Sequence, residues 1–286
     1  MATVQTNDIL TYYEEVGDGP PLVFIHGAIV DHNQWTPQVD ALSDVFRTIV
    51  YDVRGHGRTG GSATDAYSID LFADDLDALI TALNLEKPIL SGHSTGGCIA
   101  QVYAARYPDK ISGLILADTF MPELLTRGEW FQRSVMLKAT IPPVRLIGYE
   151  RVEKAMVWFQ ERLSAGASGN YENIEQLRRA GPKMETNEFA KVIRAVASFH
   201  ETNIDFSAIT VPTLVLYGEH EPPFLRRHAP KLGAEIANAV VREVPGAGHA
   251  SNLDNPEFFA GAMRAFFTRE GLHSGATGLQ DSPDSG

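Results

Sequence analysis

Hydrophobic residues along this chain come in short blocks separated by turns. Six five-residue blocks recur, at Leu22–His26, Thr48–Asp52, Pro88–Gly92, Leu114–Asp118, Thr213–Tyr217 and Val240–Val244. Most are apolar without alternation, the mark of strands buried on both faces of a parallel sheet. Between the blocks, apolar residues return every three or four positions, the spacing of one helical face. Tyr67–Leu83 places Ile69, Phe72, Leu76, Leu79, Ile80 and Leu83 in that pattern, behind Ser68 as a cap. Gly96–Tyr107 reads as another helix, stopped by Pro108. Pro256–Arg269 is a further one, opened by its proline and capped by Asn255 or Asp254. Ahead of all these, Thr3–Thr6 and Ile9–Val16 flank Asn7-Asp8 as a hairpin. The pattern predicts an α/β fold with a doubly wound, mostly parallel sheet and an antiparallel edge.

The alternation stops between Met121 and about Ser207. Apolar positions there keep helical spacing: Trp130, Phe131, Val135 and Met136, then Val152, Met156, Trp158, Phe159 and Leu163, then Phe189, Val192, Ile193 and Val196. We read 121–207 as a helical cap over the functional edge of a core formed by 1–120 and 208–270. Residues 271–286, rich in Gly, Ser and Asp, read as a disordered tail that the fold can lose.

Charge narrows the partners. Among 286 residues, 24 Lys+Arg against 36 Asp+Glu leave a formal charge of −12, which repels nucleic-acid phosphates and anionic membrane surfaces. Cys98 is the single cysteine, so neither an intramolecular disulfide nor a Cys-rich zinc site can form. The histidines and carboxylates show no metal-ligand spacing, so no metal or cofactor is expected. No apolar run is long enough to span a bilayer, and the first residues lack the basic flank and apolar run of an export signal. The expectation is a soluble cytoplasmic protein with a small-molecule partner, no nucleic acid and no membrane, its assembly with further copies left open.

The candidate chemistry centres on Gly92-His93-Ser94-Thr95-Gly96, between a strand block and a helical pattern. This is the G-x-S-x-G elbow in its required context: a tight turn that holds a serine hydroxyl out from the sheet's edge. The flanking glycines are expected to relieve crowding of their Cα atoms against the serine. A serine hydroxyl needs a base. His249, in Pro245-Gly-Ala-Gly-His249 after the last block, comes at the right place in chain order. His26, His56 and His93 read as turn or structural histidines, with His93 pointing away from the serine. For the acid that orients the base, the turn Gly218-Glu-His-Glu-Pro-Pro223 offers Glu221 and Glu219, and Asp118 closes the preceding block. Glu221 ranks first, Asp118 second and Glu219 third. Backbone N–H groups of Ala28, after His26-Gly27, and of Thr95, after the serine, are the expected oxyanion donors. Trp35 and Cys98 read as core residues. Trp130, Trp158 and Phe159 are candidates for an apolar pocket beneath the cap.

Together, His26-Gly27, Asp52-Val-Arg-Gly-His-Gly-Arg58, Gly92–Gly97 and Gly248-His249 resemble the α/β-hydrolase fold superfamily over about residues 3–270. Gly-His-Ser-Thr-Gly-Gly followed by Ile99-Ala-Gln101 and Arg106-Tyr-Pro-Asp-Lys110 is similar to its esterase, enol-lactonase and cofactor-free haloperoxidase-like branch. The resemblance implies Ser94 as nucleophile, His249 as base and Ala28 and Thr95 as oxyanion donors. It departs at Glu221, where these enzymes usually carry Asp. A serine at 94 argues against the dehalogenases and epoxide hydrolases of similar scaffold, which use an aspartate there. The expectation is a cofactor-free serine hydrolase of carboxylic esters or lactones. The same triad could instead serve perhydrolysis, C–C bond hydrolysis or a lyase reaction, and a non-turnover ligand sensor is the reading from another class.

Overall fold

A computed structural model describes residues 2–163, 172, 175–177 and 181–273. Its eight strands are β1 (Ala2–Thr6), β2 (Ile9–Val16), β3 (Pro21–Ile25), β4 (Arg47–Tyr51), β5 (Ile89–His93), β6 (Gly113–Ala117), β7 (Thr213–Gly218) and β8 (Ala239–Val244). They form one sheet in the order β1-β2-β4-β3-β5-β6-β7-β8. β1 and β2 are the predicted hairpin, and β2 runs antiparallel to β4. The remaining pairs are parallel. The central strands are buried on both faces because each lies between two apolar layers. One layer includes α2 (Ile69–Ala82) and α3 (Thr95–Arg106); the other includes α1 (Thr36–Leu42) and the last helix, Pro256–Glu270. Ser68 caps α2 through its side chain, and Asn255 caps the last helix, by accepting from Leu71 N and Phe258 N respectively.

Strand register gathers the chemistry at one edge. Ile25 pairs with Tyr51 and Gly92, and His93 with Ala117, so β3, β4, β5 and β6 end level with one another. The chain leaves β3 toward β4, while β5 lies on the opposite side of β3. The gap between β3 and β5 is therefore a topological switch point, where open α/β sheets form their ligand crevices. Ala28 and Ser94 follow these two strands.

Between β6 and β7 the described chain is helical. The longer segments include α4 (Arg127–Trp130), a π-helical turn at Phe131–Met136, α5 (Ile141–Ile147), α6 (Tyr149–Leu163) and α7 (Thr186–Ala197). Ile141, Val144, Phe189, Ala190 and Ile193 form their own apolar cluster, against which Ile29 of the loop after β3 packs. Glu188 of α7 fastens this layer to the core by accepting from the Tyr67 hydroxyl and from Lys191, which also donates to Ser62 O.

The C-terminal boundary differs from expectation. Gly271 takes a left-handed φ of 68° as the helix ends, and Leu272 N then donates to Phe267 O at 2.9 Å. Leu272 packs on the core, its Cδ1 lying where a Cβ on Gly113 would approach to 2.9 Å. Two tail residues thus belong to the folded body; 274–286 lie outside the described residues. Among the described residues, no helix is long and apolar enough to cross a membrane.

Candidate active site

Ser94 sits between the end of β5 and the start of α3 with φ 50° and ψ −114°, a backbone strain tolerated where the surroundings enforce it. Ser94 N donates to Ala117 O, and Ser94 O accepts from the Thr119 hydroxyl and from Cys98 N. The glycine requirement has a different origin from the expected one. A Cβ on Gly92 would lie 2.3 Å from Gly96 O, and one on Gly96 would lie 2.1 Å from Ile25 O. The crowding is helix backbone against strand backbone, with the serine outside it.

His249 Nε2 lies 3.1 Å from Ser94 Oγ, and His249 Nδ1 donates to Glu221 Oε1 at 2.7 Å. Glu221 is buried. Burial alone would lower the His249 pKa, but the charge and hydrogen bond of Glu221, aided by Asp118 and Asp254, push it up to about 9. The other two carboxylates go elsewhere. Glu219 accepts from Gly246 N. Asp118 accepts from Gly218 N at 3.0 Å, and from Ser251 N and Ser251 Oγ at 2.9 and 2.6 Å. It holds a left-handed φ of 47°, and burial, with the nearby Glu221 charge, raises its pKa well above the usual carboxylate range.

His93 does not simply turn away. Its Nε2 donates to the His249 carbonyl at 2.7 Å, and the two rings lie 5.3 Å apart. Burial, followed by the His249 charge, pushes its pKa down to about 3, so it braces His249 as a neutral donor. His93 Nδ1 would be 2.8 Å from a Cβ on Gly27, which explains that glycine. No local sequence pattern marks this long-range contact. His26 accepts from Val53 N, packs edge-on to His56, and is held neutral by burial, with its pKa near 3. Trp35 and Cys98 are fully buried. The Cys98 thiol is pushed up to about 12 by burial and is no nucleophile at neutral pH.

Gly27 N is occupied by the Gln34 side chain. Among the described residues, neither Ala28 N nor Thr95 N donates a hydrogen bond. Thr95 opens α3, where first-turn N–H groups lack helical partners. Ile29, next to Ala28, carries φ 63°, a strained value for a β-branched residue. Trp130 and Trp158 are half-exposed on the helical segments between β6 and β7, and Trp158 stacks with Arg162. The Phe159 side chain lies outside the described residues. Ile29, Asp31, Tyr149 and Met184 line a cavity of about 20 Å³ between the helical segments and the loop after β3, room for a water at most.

Asp31, His32 and Asp52 do converge, their ligand-type atoms within 4.8 Å, contrary to the spacing argument. Asp52 already accepts from His32 N, His32 Nδ1 and Arg58 N, and Asp31 accepts from Asn33. The cluster braces two turns.

A family profile described as alpha/beta hydrolase fold matches residues 20–256. The chain belongs to this family. It is 27% identical to a non-heme chloroperoxidase of Streptomyces lividans, over 93% of this chain and 99% of that one. It is 24% identical to a 3-oxoadipate enol-lactonase of Acinetobacter baylyi, over 93% and 96%. Among solved structures, a thermophilic esterase from Thermogutta terrifontis, with malate bound, superposes with a TM-score of 0.75 at 26% identity, covering 94% and 98%. These names share a hydrolase-type scaffold and diverge in reaction.

Proposed function

We propose that this α/β-hydrolase family member is a serine hydrolase that cleaves a carboxylic ester or lactone through an acyl-enzyme on Ser94. The observation that carries this reading is the unbroken line Ser94 Oγ, His249 and Glu221 at 3.1 and 2.7 Å. Neutral His249 takes the hydroxyl proton as Ser94 Oγ attacks the carbonyl carbon. Glu221 stabilises the imidazolium that forms. The N–H groups of Ala28 and Thr95 receive the oxyanion. His249 then protonates the leaving alkoxide, and water, activated by the same base, releases the acid. A lactone follows the same steps with both products in one molecule. The substrate is read as a small molecule met in the cytoplasm.

A bifunctional esterase/perhydrolase of Acinetobacter calcoaceticus, 24% identical over 93% of this chain and 99% of that one, supports one variation, in which hydrogen peroxide replaces water and a peracid leaves. The test common to both is incubation with a neutral fluorophosphonate, followed by mass mapping. A single adduct on Ser94, absent from Ser94→Ala, is expected. A folded wild-type protein that stays unlabelled would sink the assignment. Product analysis with and without peroxide then separates acid from peracid.

A further inference from the structure

Residues 121–148, which follow β6, carry large apolar side chains on the face turned away from the core. Glu129, Arg133 and Leu137 recur at four-residue spacing on the inner face, Glu129 and Arg133 buried and Leu137 packed on the core. Arg127, Phe131 and Val135 recur at the same spacing on the opposite face, and all three are exposed. Trp130 and Met136 flank them, each 48% exposed, and Leu146 and Ile147 close α5 at 84% and 50%. Most of the large apolar side chains exposed among the described residues lie in this one stretch. Apolar residues that hold a helix to its core lie on its inner face. An outer cluster of aromatic and aliphatic side chains marks a surface that meets something other than water.

The free charges around this cluster are of one sign. Arg127, Lys138 and Arg145 are exposed, and the single exposed carboxylate of 121–148, Glu123, is paired with Lys231 at 3.5 Å. Among the described residues, none of the three cations has an ion-pair or hydrogen-bond partner. Exposed arginines such as Arg106, Arg226 and Arg264 are instead bound to carboxylates, those of Asp74, Glu243 and Asp44. The formal charge of −12 predicts repulsion from an anionic surface, but that prediction averages over the whole molecule. Charges farther away than about 8 Å are screened at physiological ionic strength, so the face nearest a partner decides. The face of 121–148 is cationic and aromatic, and the remote carboxylates favour the orientation that presents it.

We propose that the outward face of 121–148 docks on an anionic phospholipid bilayer. Lipid phosphates take Arg127, Lys138 and Arg145, while Trp130 and Phe131 enter the boundary between headgroups and acyl chains, where basic and aromatic side chains are both stable. The docking is peripheral, since no helix among the described residues is long and apolar enough to cross a membrane. A second copy of the chain fits this face less well. Two-fold pairing would set Arg127, Lys138 and Arg145 against their own copies, with Glu123 alone to offset them. The docking requires neither Ser94 nor the hydrolase reading.

The test floats the full chain on a density gradient with vesicles of phosphatidylcholine, prepared with or without phosphatidylglycerol. The chain should rise with the anionic vesicles at about 0.15 M ionic strength and be released at about 1 M, where screening is nearly complete. Each cation near an anionic surface is worth about fivefold in partition, so Arg127→Gln, Lys138→Gln and Arg145→Gln combined should weaken binding roughly 100-fold. Phe131→Ser with Val135→Ser should weaken it with the cations intact. All five positions are exposed, so both variants should melt with the wild type. No binding to anionic vesicles overturns the proposal, as does equal binding to neutral ones or full binding by the Gln variant. A dimer in light scattering that the Ser variant loses, without vesicle binding, overturns it in favour of a second copy.

Discussion

Two residues past His249, Ser251 gives both its backbone N–H and its hydroxyl to one oxygen of Asp118, while the other oxygen receives Gly218 N. One buried carboxylate therefore ties the start of the Glu221 turn and the end of the His249 loop to β6. Backbone N–H groups arrive at both oxygens, so an amide placed there must turn its NH₂ toward a donor. Asp118→Asn should lower unfolding free energy by about 1–3 kcal/mol, the cost of a broken buried hydrogen bond. Ser251→Ala, which loses the hydroxyl alone, should cost about 1 kcal/mol. Denaturant unfolding checks both. An Asp118→Asn variant as stable as wild type would show that this carboxylate is not the tie.

The acid makes a different prediction. Glu221→Gln should leave the fold in place and lower kcat by orders of magnitude, because an amide cannot stabilise the imidazolium. The equivalent aspartate-to-asparagine change in a serine protease triad loses about 10⁴ in turnover. Glu219→Gln, whose carboxylate serves Gly246 N, should be mild. Single-turnover kinetics with a p-nitrophenyl ester ranks the three. If Asp118→Asn lowers the acylation rate more than Glu221→Gln, the short His249–Glu221 contact is not the working one.

Activity and stability should respond to pH in opposite directions. A base raised to about 9 is mostly protonated at neutral pH, so log kcat/KM should climb with a slope near one and level above about 9. The same shift stabilises the fold. A histidine with pKa raised above its ordinary 6.5 contributes stability that is complete below 6.5 and is lost as pH rises through about 9. Between those values, melting temperature should fall while kcat/KM rises. In Glu221→Gln both limbs should move to lower pH. A wild-type activity limb centred below pH 7 would contradict the raised value.

Much of this architecture is legible from pattern. The central strands announce themselves because burial on both faces removes alternation, and the elbow because two backbones touch at Gly92–Gly96 and Gly96–Ile25. Chain order pointed to His249 and to the turn bearing Glu221. The choice among carboxylates is only a ranking in the sequence, with Glu221 first. Asp118 is met by backbone N–H groups while Glu221 meets the His249 ring, and one partner of Asp118 lies 133 residues away at Ser251. The His93–His249 brace, 156 residues apart, is hidden for the same reason. Aromatic spacing between β6 and β7 marks helices but not how exposed each face is, and Trp130 and Trp158 are half-exposed.

Gly96 offers a steric test of the elbow. Its missing Cβ would stand 2.1 Å from the carbonyl oxygen of Ile25, a backbone atom that cannot swing aside. Gly96→Ala must push α3 away from β3 and carry Ser94 with it. A loss near 3 kcal/mol is expected from overpacking of this kind, together with weaker fluorophosphonate labelling. Gly261→Ala is the control, since a Cβ there meets nothing within 4 Å. Equal behaviour of the two variants in thermal melts would refute the crowding argument.

The tail sets the last prediction. Ending the chain at His273 keeps the Leu272 N–H on Phe267 O and the Leu272 side chain on the core. Ending it at Glu270 removes both, and with them Gly271, whose left-handed turn lets the chain fold back over the helix end. Leu272 is partly buried, so its apolar contact is worth about 1 kcal/mol. In a body of this size that moves the melting temperature by roughly 2–4 °C. Two truncations compared by calorimetry should therefore separate, the longer one melting with the full chain and the shorter one below it. Coincident melts would mean that Leu272 rests on Gly113 without stabilising it.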